Sequence, residues 1–140
     1  MKIKILIMSI LVLIALNPAK LLYERNLPNV CQQEKVLALE EKKLNIIGFE
    51  ETRREFVRQQ TYLVYYTLKE DTNVDQLKMM LKEKFLENGW GYKNEFIVYD
   101  TYLKMNKLNI NYTKKDYYCT VVINPNGMAL RFRYKNFYQK

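Results

Sequence analysis

Cys31 and Cys119 are the only two thiols of the 140-residue chain. In an oxidising compartment such a pair can form a disulfide, here closing a long loop that ties the N-terminal part to a mid-chain strand. The alternative is two unpaired cysteines, with Cys119 serving as a small buried apolar residue. Cys31 does not fit a lipid-modified cysteine, because it follows Val30 well beyond the apolar N-terminal run.

Other chemistry is mostly excluded by composition. There is no histidine, which removes imidazole metal ligands, the usual general base near neutrality and every Ser-His or Cys-His nucleophile arrangement. The only serine is Ser9, inside the apolar run, and Gly48, Gly89, Gly91 and Gly127 are too dispersed for a phosphate loop. Glu95 with Asp100, or Glu70 with Asp71, are the carboxylate pairs available for acid and base work, and nothing in their surroundings aims them. The chain is therefore expected to be non-enzymatic, with no catalytic residues, no metal site and no cofactor.

Charge offers a binding surface instead. Residues 101–140 hold eight Lys and Arg against one Asp, so most of the net charge of +8 lies there. Arg131, Arg133 and Lys135 recur at period two, which places them on one side of a strand, and Lys114 and Lys115 lie nearby in sequence. These five residues are the candidate contacts for anionic lipid headgroups or an anionic polymer. Tyr117, Tyr118 or Tyr134 would add stacking if the polymer were a nucleic acid, which is not the expected partner. The plain reading is a solvated sheet face, or an edge strand guarded by charge.

The elements that must position these residues begin with Ile5 to Leu16, an uninterrupted apolar run after the basic start Met1-Lys2-Ile3-Lys4. A signal peptide needs an apolar core of about 7 to 15 residues and a small-residue cleavage site, whereas a spanning helix needs about 20 apolar residues. The cleavage signals at Ala15 and Ala19 are weak, and continuation through Lys20 to Tyr23 reaches spanning length. Residues 1–23 are thus expected to be a signal-anchor, with a cleaved signal peptide and secretion as the alternative. Lys2, Lys4 and the amino terminus outweigh Lys20 and Arg25, which places the rest of the chain outside the cytoplasm.

Residues 24–31 read as a linker and 32–140 as one small domain. Gln32 to Leu44 are good helix formers with a thin apolar stripe, suited to a stalk or to a helix laid on a sheet. Thr61 to Leu68 reads as a strand. Val74, Leu77, Met80, Leu81 and Phe85 then mark one buried helix stripe, started by Thr72 or Asn73. Gly89 just past that helix predicts a Schellman motif, whose hydrophobic contact would join Phe85 to Trp90 as a structural cap. Strands follow at Glu95–Tyr99, Leu108–Tyr112, Tyr117–Ile123 and Met128–Tyr134, the last two joined by Asn124-Pro125-Asn126-Gly127 with Gly127 free to take positive φ. Asn111-Tyr112-Thr113 is a glycosylation sequon.

The expected fold class is α+β: an antiparallel sheet of about four or five strands covered on one face by one or two helices, after an N-terminal apolar helix. The expected function is a membrane-tethered or exported non-catalytic binding or assembly module of the cell envelope with a protein partner. The alternatives are a basic surface binder and a small immunity-type inhibitory protein.

Overall fold

The computed structural model describes residues 18–23, 25, 27–57 and 60–136. The apolar run Ile5 to Leu16 lies outside them. Among the described residues no helix is long and apolar enough to cross a membrane.

The elements follow as α1 (Val30–Leu44), β1 (Glu50–Val57), β2 (Thr61–Thr67), α2 (Val74–Glu87), β3 (Gly91–Asp100), β4 (Met105–Lys114), β5 (Tyr117–Asn124) and β6 (Gly127–Tyr134). The six strands form one sheet in the order β1-β2-β6-β5-β4-β3, and every neighbouring pair is antiparallel. One strand more is present than expected: β1 (EETRREFV) is too charged to read as a strand from composition. Its inward positions are Arg54 and Phe56, opposite Val64 and Tyr62 of β2.

Both helices lie over the same face of the sheet. Leu37 and Leu44 of α1 and Leu77, Leu81 and Phe85 of α2 join Tyr62, Val64, Ile110, Tyr112, Val121, Leu130 and Phe132 in a single core. Burying that apolar surface is the main source of stability in such a small domain. The helix α1 is laid on the sheet rather than raised as a stalk, and it starts at Val30, capped by the Asn29 side chain, which accepts from Gln32 N–H at 2.9 Å.

The end of α2 is set by backbone geometry. Gly89 has φ of +78°, Trp90 N–H donates to Phe85 C=O at 2.9 Å, and Gly89 N–H donates to Leu86 C=O at 2.9 Å. That is the Schellman pattern, and the Phe85 and Trp90 rings meet edge to face at 5.6 Å. A valine at Gly89 would be forced into the left-handed region, so Gly89→Val is expected to cost about 1–3 kcal/mol in urea unfolding. An unchanged midpoint would contradict this account of the turn. Gly127, by contrast, does not have positive φ. A Cβ there would sit 2.9 Å from the Tyr66 carbonyl oxygen, so close approach of β2 is what requires glycine.

The strands run between two ends. The base holds the Lys115–Asp116 turn, the start of β3 and the exit of β6. The tip holds the turn at residues 101–104, the Pro125–Asn126 turn and the start of β1. Ten-residue strands at about 3.3 Å per residue separate base from tip by about 30 Å.

Candidate functional site

A polar network fixes α1 to the sheet before any surface can be presented. Its buried face mixes Leu37 and Leu44 with Gln33, Glu40 and Glu41. Glu41 accepts from the Tyr66 hydroxyl at 2.9 Å and from Arg54 at 3.0 Å. Arg54 is further held by Glu51 through bonds of 2.9 and 2.7 Å, and donates to the Tyr62 hydroxyl at 2.6 Å. The Glu51 hydrogen bonds come first among the causes that push the Arg54 pKa up, and they outweigh its partial burial.

Glu40 points the other way, to Lys114 at 2.6 Å and Lys43 at 2.7 Å. Burial pushes its carboxyl up, but the two ammonium groups together outweigh burial and hold it below its ordinary value. These groups are occupied by one another, which makes them structural. Among the described residues no three Cys, Asp or Glu side chains converge on a point that could hold a metal ion.

The cysteines are not bridged. Cys31 is exposed in the first turn of α1, while Cys119 is fully buried in β5 within the core, so the disulfide expectation is corrected to two free thiols. Burial pushes the Cys119 thiol well above its ordinary pKa. Denaturing, non-reducing titration is expected to count two thiols, and native titration to label Cys31 alone. A count of zero would restore the bridge.

Two of the acidic candidates are also engaged, while Glu70 and Asp71 are exposed in the turn before α2. Glu95 pairs with Lys78 at 2.8 Å, and Asp100 pairs with Lys107 while accepting from the Tyr102 and Leu103 N–H groups at 3.0 and 2.8 Å. Asn111 of the sequon is buried, donates to Asn94 at 2.7 Å and accepts from Thr120 at 2.9 Å, and so is out of reach of a glycan in the folded chain.

The cationic candidates divide. Lys114 faces the helices, where it binds Glu40 and lies 5.9 Å from the Trp90 ring centroid. It does not join the others. Arg131 and Arg133 are exposed on the sheet face that no described helix covers, on β6, a central strand and not the charge-guarded edge that was one expectation. Neither has an acidic partner among the described residues. Arg133 lies 4.9 Å from the Tyr118 ring centroid, and Lys93 lies 5.5 Å from the same ring. Lys135 reaches the Lys115 carbonyl, which gathers Arg133, Lys93, Lys115 and Lys135 at the base. Lys93 was not a candidate from sequence, because only the β3–β4–β5 meander brings it near Tyr118.

The second surface had no sequence signal as a site. Strand β3 is an edge strand, and Phe96, Ile97, Val98 and Tyr99 are all exposed, Ile97 at 69%. Tyr102, 92% exposed, and Leu103 extend this apolar stretch around the tip. An open groove of about 350 Å³ adjoins it, lined by Leu68, Val74, Ile97, Leu108, Ile123 and Pro125 among others. Such an edge offers unpaired backbone groups as well as apolar side chains.

The chain matches no protein-family model, no curated protein and no solved structure with which it was compared.

Proposed function

We propose that the chain is a membrane-tethered, non-catalytic binding module of the cell envelope, held by its N-terminal segment outside the cytoplasm, that docks a protein partner along β3. The observation that carries this reading is the exposed run Phe96-Ile97-Val98-Tyr99 on an edge strand, continued by Tyr102 and Leu103 at the tip. Monomeric domains usually blunt an edge with charge, proline or a covering loop. Here four adjacent large apolar residues lie open beside a groove of about 350 Å³ with a largely apolar lining. A strand added to β3 would gain main-chain hydrogen bonds for affinity, and the groove would supply specificity.

The test is affinity recovery of the full chain from native membranes, comparing the unaltered protein with Ile97→Asp. Ile97 is exposed, so the variant keeps its fold. The reading expects one partner, recovered in high salt and lost from the variant. Equal recovery with both proteins would contradict docking along β3.

Arg131 and Arg133, exposed on the open face without an acidic partner among the described residues, support a second reading as a binder of a soluble anionic polymer. Under that reading, recovery falls steeply with ionic strength and is lost from Arg131→Gln/Arg133→Gln, while Ile97→Asp is silent.

A further inference from the structure

The hydroxyl of Tyr23 donates to the carbonyl oxygen of Lys135 at 2.7 Å. This bond pins the chain just after its apolar run to the base of the sheet, where β6 ends. Residues 18–23 are helical and advance only about 9 Å, and Leu16 is two residues further back, which adds at most about 7 Å. The run Ile5 to Leu16 therefore ends within about 16 Å of the Tyr23 backbone and joins the domain at the base, where Arg133, Lys93, Lys115 and Lys135 lie. A bilayer that takes up the run thus meets the domain from the base, the end that carries those cations, and an anionic leaflet attracts them.

Resting on the reading of the N-terminal segment as a membrane tether, we propose that the base of the sheet docks on the anionic headgroups of that same membrane. Arg133 and Lys93 flank the Tyr118 ring, and Lys115 projects from the β4–β5 turn beside Asp116. Lys114 takes no part, since Glu40 holds it on the other face. Docking by the base turns the tip, about 30 Å away, toward the compartment. The apolar end of β3 is then presented where a partner can reach it.

The experiment places the full chain in phosphatidylcholine nanodiscs, and in discs with about a third phosphatidylglycerol, and follows acetylation of individual lysines by mass spectrometry. Each cation near an anionic surface contributes about fivefold in docking, so Lys115 is expected to be modified at least about fivefold more slowly on the anionic discs. Lys104 at the tip serves as the control and is expected to react equally on both. High salt is expected to remove the protection while the protein stays on the disc.

Arg133→Gln/Lys93→Gln, which leaves Lys115 available as the reporter, is expected to lose the protection. Equal Lys115 rates on both discs, with the chain firmly bound to each, would overturn the docking and leave the tether standing. Failure of the chain to stay on neutral discs in high salt would overturn the tether, and the docking with it. Protection by free polyphosphate equal to that on anionic discs would also overturn the proposal, in favour of a soluble polyanion.

Discussion

Phe85→Ala is expected to lower the stability of the domain by about 3–5 kcal/mol, the largest effect of any single side chain named here. Phe85 is fully buried, with its ring stacked on Tyr112 at 4.0 Å and 6° and meeting Trp90 edge to face. The alanine removes three things together: the apolar area, the aromatic contacts, and the hydrophobic half of the Schellman motif that ends α2. Trp90 in turn packs on Phe132 at 5.7 Å, so the cavity would open between helix and sheet, where neighbours cannot close it cheaply. The measurement is the urea midpoint at unchanged slope, with Phe85→Leu as a milder control. A loss below about 1 kcal/mol would show that this aromatic cluster is not the centre of the core.

The second large effect is expected at Arg54. Arg54→Met leaves Glu41, whose side chain is only 6% exposed, without its cation, and leaves Tyr62 and Glu51 without their shared donor. Breaking a buried ion pair from one side costs about 3–5 kcal/mol. Arg54 is itself about a third exposed, so about 2–4 kcal/mol is expected. Glu41→Gln in the same chain should recover part of that loss, because the amide can still accept from Tyr66 without carrying a buried charge. No recovery in the double variant would mean that Arg54 acts through packing and not through charge.

These two residues also show which parts of the fold were legible in the sequence. Helix α2 was readable because Leu77, Leu81 and Phe85 repeat at helical spacing between an asparagine cap and a glycine stop, and each signal is local. β2 and β4 to β6 were readable from local signals too, as runs rich in β-branched and aromatic residues that alternate with polar ones in β4 and in the second half of β6. β1 and the buried face of α1 were not. Arg54 and Phe56 do alternate inward, but an inward arginine makes sense only once Glu41, thirteen residues earlier, is known to face it. Glu40 and Glu41 likewise read as solvated charge until Lys114 and Tyr66 arrive from distant strands. Local patterns reveal elements, while long-range polar partners appear only after docking.

The candidate surfaces were legible to a smaller degree. The period-two arginines were visible, because alternation alone places Arg131 and Arg133 together. That Lys114 and Lys115, adjacent in sequence, go to opposite tasks follows from where β4 ends and its turn begins. The exposed edge was invisible for a simpler reason. Phe96 to Tyr99 reads as an ordinary strand, and only the strand order reveals that no described element covers it.

The central claim, a tethered module that binds through β3 at its tip, is tested most directly by site-specific photo-crosslinking of the full chain in native membranes. The crosslinker is placed in turn at Val98 on the edge and at Arg131 on the open face. The account predicts one dominant protein adduct from Val98, abolished by Ile97→Asp, and none of that mass from Arg131. Adducts from Arg131 with none from Val98 would contradict it.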